Sequence, residues 1–211
     1  LKNRTYGYLV VLGGVFSMTI FGPIAFLPAF FVRSHGLPMG TVGAYSGLAI
    51  GLGMAVGVMV GGALADRLAR GGAERPQWLC AIAILVSGLA FAAALLLANP
   101  WWAFGAVFMA AATGSIASPI IAAAVQNESP PALRATAAAL GTLAVSLAGI
   151  GLAPLLIGVL SDALTPIYGQ DALRYALLIG LSACAVTAAL HWKVGRLLQA
   201  TGSAARGAVR A

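Results

Sequence analysis

The chain has 211 residues, of which 61% are hydrophobic and only 8% charged, and its mean hydropathy is +0.97. Soluble domains carry about a quarter charged residues, so this composition excludes a soluble globular domain and indicates a multi-span membrane protein. The net charge of +7 does not indicate nucleic-acid binding, because the bases are distributed as membrane topology requires. Cys80 and Cys184 lie at or within apolar segments without metal-ligand spacing and are predicted to be free core residues.

Six apolar segments are each long enough to cross about 30 Å of hydrocarbon as a helix, and none alternates like a barrel strand. The segments cover approximately residues 6–32, 41–65, 77–99, 101–126, 134–160 and 172–193. The first is longer than the core of a signal peptide, so we expect a true span in a chain whose beginning is missing. The sequence therefore predicts an all-α membrane protein with six transmembrane helices.

The bases predict the orientation of these helices. Ten of the 12 Lys and Arg residues fall on one side, and only Arg33 and Arg174 fall on the other. The positive-inside rule then places both ends of the chain in the cytoplasm, in a cell (inner or plasma) membrane. A bundle over residues 1–196 is expected to end in a basic, disordered cytoplasmic tail at 197–211.

An internal repeat emerges when the chain is shifted by 96 positions. After this shift a proline falls on a proline and an aspartate on an aspartate without a gap, and both residue types are rare here. Matches between glycines or leucines, which are common in this chain, could also arise by chance. The repeats, about 6–99 and 101–193, each hold three helices, so the second enters the membrane from the opposite side. This is a 3+3 inverted repeat, the architecture of secondary transporters. The aligned pairs are Pro23 with Pro119, Gly53 with Gly149, Gly62 with Gly158, Leu64 with Leu160, and Asp66 with Asp162.

The second helix carries two glycine runs at four-residue spacing, Gly43-Gly47-Gly51 and Gly53-Gly57-Gly61. Small residues at this spacing let a neighbouring backbone approach closely. Static packing within the bundle and a smooth surface on which two bundles rock explain the pattern equally well.

A motif at the end of this helix carries a resemblance to a known family. Gly62-x-Leu64-Ala65-Asp66-Arg67-x-Ala69-Arg70 resembles the cytoplasmic loop motif of the major facilitator superfamily, with Ala69 in place of the usual glycine. The segment from Gly149 to Gly158, which contains Pro154, is similar to the family's gxxxGPxxGG element. The resemblance implies the C-terminal six-helix half of a twelve-helix fold, with an N-terminal six-helix half as its partner.

Finer features resemble the spinster-like branch of that superfamily. They lie in Leu27–Gly36, Pro130–Ala135 and Gly158–Tyr175. Eukaryotic members of the branch are linked to sphingolipid or lysophospholipid export.

Asp66 is predicted to accept hydrogen bonds from the N-terminus of a helix in the partner half, with Arg67 and Arg70 completing a charge latch. Simple anchoring of the loop in water is the alternative. On the other side, Arg33 and Asp162 are expected to be independent rather than paired. The predicted conformational motif consists of Gly62, Asp66, Arg67, Arg70, Arg134, Gly149, Gly158 and Asp162.

Prolines and hydroxyl side chains mark the predicted cavity. Each proline favours a kink, and a hydroxyl otherwise bonds to its own helix backbone. The predicted gating positions are Pro23, Pro28, Pro119 and Pro154. The predicted substrate-cavity residues are Ser17, Thr19, Phe21, Tyr45, Thr113, Ser115 and Ser118.

No ionisable side chain lies in the middle of any predicted helix, and His35 and His191 are expected at the interfaces. A proton or other ion gradient would therefore act through the missing half. These features favour an alternating-access carrier for an amphiphilic or hydrophobic solute such as a lysolipid, without cofactor or metal. Its expected partners are the N-terminal half, membrane lipids and a small-molecule substrate, with no nucleic acid. A multidrug or metabolite efflux carrier and a non-transporting scaffold are the alternatives; an enzyme is not expected.

Overall fold

A computed structural model describes the backbone of residues 4–210 and the side chains of residues 6–200. Nine α-helices cover the described backbone, and 3₁₀ turns or a π-helical turn join some of them. The helices are α1 (Arg4–His35), α2 (Met39–Ala69), α3 (Arg75–Leu96), α4 (Pro100–Ser115), α5 (Ala117–Asn127), α6 (Arg134–Val145), α7 (Ala153–Tyr168), α8 (Ala172–Gly180) and α9 (Ser182–Arg210).

Five helical segments are long and apolar enough to cross a membrane. They are Tyr6–His35, Met39–Ala69, Arg75–Leu96, Pro100–Asn127 and Pro131–Ala200. The last has 70 residues and contains two of the six predicted spans. Within this segment Gly169, with a φ of +54°, ends α7 in a turn. The ring centroids of Tyr168 before the turn and Tyr175 after it lie 4.4 Å apart. Helix α8 therefore folds back along α7.

Several helices extend beyond the predicted apolar segments. Helix α2 continues through Asp66 and Arg67 to Ala69, in agreement with the replacement of the family glycine by alanine. Helix α9 continues to Arg210, whereas the sequence predicts a disordered tail from residue 197. Alanine, leucine and arginine are strong helix formers, so helix propensity persists after the hydrophobic pattern has ended.

Of the predicted gating prolines, Pro119 interrupts a helix, whereas Pro23 and Pro28 lie within a continuous one. Pro119 has no backbone N–H to donate to the carbonyl of Ser115, and the helix is interrupted at Ile116, between α4 and α5. The backbone N–H of Ile116 instead donates to Thr113 over 3.3 Å. Helix α1 stays helical through Pro23 and Pro28.

Two apolar cores lie near opposite ends of the bundle. Phe30 and Phe31 of α1 pack with Phe104 of α4 in one core, and the rings of Phe31 and Phe104 stack at 4.2 Å. Leu9 and Leu12 occupy the other core. It lies at the end of the bundle that carries most of the bases, which we call the base-rich end: Arg67, Arg70, Arg75, Arg134, Lys193 and Arg196. There the hydroxyl of Tyr6 donates to the carbonyl of Ala137 over 3.1 Å, which joins the start of α1 to α6.

The two glycine runs of α2 have different surroundings. A Cβ at Gly53 would lie 2.7 Å from the carbonyl oxygen of Phe108, and one at Gly61 would lie 2.5 Å from that of Ile116. Gly57 abuts the carbonyl of Ala112 in the same way. By contrast, no atom lies within 4 Å of a Cβ built at any residue of the Gly43-Gly47-Gly51 run. The Gly53-Gly57-Gly61 run therefore packs inside the bundle, and the Gly43-Gly47-Gly51 run forms what we call the open glycine face.

This difference predicts opposite effects of the same substitution. Gly57→Ala should lower the thermal unfolding midpoint in detergent by several degrees, because overpacking against a backbone carbonyl costs about 1–3 kcal/mol. Gly47→Ala in the same helix should leave the midpoint unchanged or raise it slightly, since alanine has the higher helix propensity. Equal effects at the two positions would contradict the assignment of one packed and one open glycine run.

Candidate functional site

A cavity of about 390 Å³ lies between α1, α5 and α6, and Met54 of α2 closes one side. Its walls are mainly apolar, and among the residues whose side chains are described no Asp, Glu, Lys, Arg or His lines it. Polar groups come from three hydroxyls and one amide: Ser17, Ser118, Thr142 and Gln126. An enclosed apolar surface with a few hydrogen-bonding groups is the usual character of a small-molecule site.

Ser17 is the best buried of these polar residues. Its side-chain oxygen lies 2.6 Å from the carbonyl oxygen of Gly14 and 3.1 Å from that of Val145 on α6. A hydroxyl has one proton, so at any moment it donates to one of these two carbonyls or is shared between them, and its oxygen keeps acceptor capacity. Ser17 therefore links the wall of the cavity formed by α1 to the wall formed by α6.

A π-helical turn over Ser146–Leu152 follows directly after α6. The backbone N–H of Ala153 donates to the carbonyl of Ala148, which is the five-residue register of a π-helix. Within this turn a Cβ at Gly149 would lie 2.6 Å from the Ser17 oxygen and 2.8 Å from Phe21. Glycine is thus what lets the turn rest against the cavity side of α1. Pro154 follows immediately, in the first turn of α7.

The structure separates the predicted cavity residues into groups. Ser17, Phe21 and Ser118 line the large cavity. Thr19 and Ser115 instead line a void of about 40 Å³ inside the bundle. The remaining two lie in neither group.

Those two residues are placed by local contacts. Thr113 donates to the carbonyl of Met109, one turn earlier in its own helix, over 2.7 Å. Tyr45 lies in an aromatic cluster at the other end of the bundle, where its ring centroid is 4.9 Å from that of Trp101 and 5.6 Å from that of Phe104.

Sequence reasoning did not select Gln126, Thr142 or Met54. Gln126 lies near the end of its helix, where polar residues are ordinary, and Thr142 donates to Ala138 over 3.0 Å as an isolated helical threonine would. No local signal distinguishes these residues from surface positions. Their convergence depends on how α5 and α6 pack against α1.

The loop motif lies at the base-rich end of the bundle. Asp66, Arg67 and Arg70 are exposed. Asp66 lines a separate pocket of about 230 Å³, which Gln77, Asn127 and other residues of α3, α5 and α9 complete. No ion pair joins Asp66 to a base among the described residues. The predicted latch is thus not closed by the described part of this chain.

The other members of the predicted motif are placed as follows. Arg134 is exposed at the start of α6, and Gly62 has open space around it. A Cβ at Gly158 would make an ordinary contact of 3.6 Å with Phe26. Asp162 is exposed on α7.

Charges at the opposite end form one local pair. Arg174 lies 2.9 Å from Asp171, and its guanidinium carbon lies 5.8 Å from the centre of the Phe30 ring. Arg33 and Asp162 are both exposed, and no ion pair joins them in the described part of the chain. This agrees with the expectation that they are independent.

His191, which the sequence places near an interface, lies inside the bundle beside the first turn of α3. Its side chain is fully buried, and its Nδ1 lies 2.8 Å from the Oε1 of Gln77, which is also buried. The reason is that α9 continues past the apolar segment and packs along α3. His35 stacks on Phe31 with a ring separation of 5.3 Å.

Long apolar helices packed around a mainly apolar cavity with hydroxyl groups define a multi-pass helical membrane protein. The family model of the Major Facilitator Superfamily matches residues 1–154, so the chain belongs to this superfamily. The resemblance seen in the loop motif is confirmed, and the family is one of transporters rather than enzymes.

A relative from Mycolicibacterium smegmatis, described as an MFS-type efflux pump, is 32% identical over 195 residues. The match covers 90% of this chain and 44% of that relative.

Two crystal structures of a bacterial homologue of the human lysosomal transporter Spinster, both inward-facing, have a similar fold. The unoccupied form has a TM-score of 0.83 at 20% identity, with 93% of this chain and 48% of that chain covered. The occupied form has a TM-score of 0.79 at 20% identity, with 92% and 50% covered. The chain thus spans about half the length of these relatives.

The cavity assignment predicts selective chemical labelling of introduced cysteines. Ser118→Cys should react with a charged, water-soluble thiol reagent, because position 118 lines the large cavity. Ser115→Cys should resist the reagent, because Ser115 is buried at 2% exposure beside the small void. Both native cysteines are buried, so the unmodified protein provides the background measured by mass spectrometry. Labelling at 115 but not at 118 would contradict the placement of the cavity.

Proposed function

We propose that this chain forms half of an alternating-access carrier for an amphiphilic or hydrophobic small solute. The observation that carries the proposal is the uncharged cavity between α1, α5 and α6. Its apolar walls suit a hydrocarbon group, and Ser17, Ser118 and Thr142 supply hydrogen bonds for a polar head. Such a surface fits an amphiphile better than a sugar phosphate or a dicarboxylate, which would need cationic partners.

We infer six membrane crossings arranged as a 3+3 inverted repeat. A shift of 96 carries the starts of α1, α2 and α3 to positions 100, 135 and 171, beside the observed starts Pro100, Arg134 and Ala172. Equivalent glycines also make equivalent contacts: Gly53 packs α2 against α4, and Gly149 packs the π-helical turn against α1. In this arrangement the turn at Gly169 separates the fifth and sixth crossings.

The second half of the carrier is proposed to come from an N-terminal six-helix bundle, with this chain as the C-terminal bundle. The relatives are about twice as long as the chain, which supports a second bundle. The open glycine face of α2, Gly43-Gly47-Gly51, provides a smooth surface for it. Both ends of this chain would then be cytoplasmic, in the cell membrane, as the distribution of bases favours.

The solute is proposed to be a lysolipid or another single-chain amphiphile, which fits the apolar walls and few hydroxyls of the cavity and the resemblance of the sequence to the spinster-like branch. The description of the 32%-identical relative as an efflux pump favours multidrug or metabolite efflux as a second candidate. Proton coupling would reside in the other half. All five acids of this chain lie near helix ends or in loops, away from the middle of the spans.

Transport by the intact protein in proteoliposomes tests this function. Under an imposed pH gradient we expect flux of lysophosphatidylcholine or of the amphiphilic cation ethidium. Glucose 6-phosphate is the matched solute control and should not move, because the cavity offers no cation for its phosphate. If neither amphiphile showed gradient-dependent flux, the carrier proposal would be overturned. Flux of ethidium alone would favour the efflux alternative.

Asp66→Asn tests the latch. We expect transport to slow by roughly tenfold while the protein remains inserted and folded, since an acid that faces the N-terminus of a partner helix contributes up to about 2 kcal/mol. The thermal unfolding midpoint is measured beside transport. Asp171→Asn, which removes an acid from the opposite end, serves as the control. Loss of folding in Asp66→Asn would instead support the role of a loop anchor.

A further inference from the structure

A second concavity lies on a different side of α1, and we call it the α1 groove. It has two adjacent parts of about 320 and 370 Å³, which share Val15 and Met18 of α1 as their floor. The π-helical turn and α7 form one wall, and α8 and α9 border the part nearest them. Large, exposed apolar side chains line it: Val11, Leu147, Leu152, Leu156, Ile179 and Val186.

The α1 groove lies on a different face of α1 from the hydroxyl-bearing cavity, and Val10 borders both. Successive helical residues are rotated by about 100°, so Val11, Val15 and Met18 lie about 100–160° around α1 from Ser17. No part of the described chain covers these exposed apolar side chains, and the groove is a recess in that apolar surface. Its dimensions and chemistry suit an acyl chain.

A cation lies at the base-rich end of this recess. The Nζ of Lys193 is 4.5 Å from the centre of the Tyr8 ring. Tyr8 precedes Val15 by seven residues on α1, and Lys193 follows Val186 by seven residues on α9. Both side chains therefore lie about 10 Å along the helices from the groove.

No acid among the described residues neutralises this positive charge. Lys193 is exposed, as is Arg196 one turn further along α9. Neither forms an ion pair with an acid among the described residues. The acids at this end of the bundle are Asp66 near the end of α2, Glu74 in the α2–α3 connection and Glu128 after α5, whereas Lys193 lies beside α1. Its surroundings thus complement a negative group.

An apolar recess with an unneutralised ammonium about two helical turns away matches one lipid: an acyl chain with an anionic phosphate head. We propose that the α1 groove and Lys193 bind an anionic phospholipid of the leaflet at the base-rich end. The acyl chain lies on Val15 and Met18, and the phosphate pairs with Lys193, which the Tyr8 ring orients. A zwitterionic lipid binds more weakly because its own cation offsets the phosphate. This site does not depend on the proposed transport function.

The test is lipid binding by the intact, detergent-purified protein, with bound copies counted by native mass spectrometry. Palmitoyl-oleoyl-phosphatidylglycerol should bind several-fold more tightly than the phosphatidylcholine with the same chains. Lys193→Gln should reduce phosphatidylglycerol affinity about fivefold, since a base near an anionic headgroup contributes about 1 kcal/mol. Phosphatidylcholine binding should stay unchanged. Arg75→Gln, a base at the same end but away from the α1 groove, is the charge control and should preserve the preference.

A second variant tests the acyl-chain part of the site. Val15→Trp should weaken both lipids by filling the groove, whereas Leu89→Trp, at a 72% exposed position on α3, should weaken neither. The proposal is overturned if Lys193→Gln keeps the full preference, or if Val15→Trp and Leu89→Trp behave alike. Displacement of phosphatidylglycerol by millimolar inorganic phosphate would also overturn it, because the site would then recognise phosphate without the chain.

Discussion

Burial of apolar side chains does not drive helices together in hydrocarbon, because lipid tails are as apolar as leucine. The association of transmembrane helices therefore depends on how closely their backbones can approach. In this bundle Gly53, Gly57 and Gly61 bring α2 onto the backbone of α4 and α5. Gly149 does the same for the π-helical turn against Ser17 of α1. These contacts position the elements on which the cavity depends, and each leaves no room for a methyl group.

The cavity lies beside the least regular backbone of the bundle. The break at Ile116 precedes α5, and the π-helical turn follows α6, so two of its walls adjoin a non-α-helical segment. Such segments rearrange at lower cost than a continuous helix, which would suit the alternating access proposed for this chain. Helix α1 connects the regions, with the cavity on one side and the α1 groove on another. Movement of α1 would therefore change the shape of both the cavity and the α1 groove.

Polar groups show how much the tertiary arrangement adds to local chemistry. Thr113 and Thr142 bond to their own helices, as isolated hydroxyls in apolar segments do. Ser17 reaches across to Val145, and His191 reaches Gln77, so these two side chains fasten helices that are distant in sequence. From the sequence all four are simply polar residues in apolar surroundings. The difference follows from which neighbour faces each side chain.

The sequence by itself determined the membrane class, the superfamily, the approximate helices and the exposed position of Asp66. These features rest on local patterns: hydrocarbon requires each span to satisfy its own backbone, and charges collect where helices leave the membrane. Only the tertiary structure decided which glycine run is packed, that Ser17 and Ser118 share a cavity with Gln126 and Thr142, and that Ser115 does not. Those outcomes depend on the rotation of each helix and on partners more than a hundred residues away, such as Tyr6 and Ala137, which no local pattern encodes.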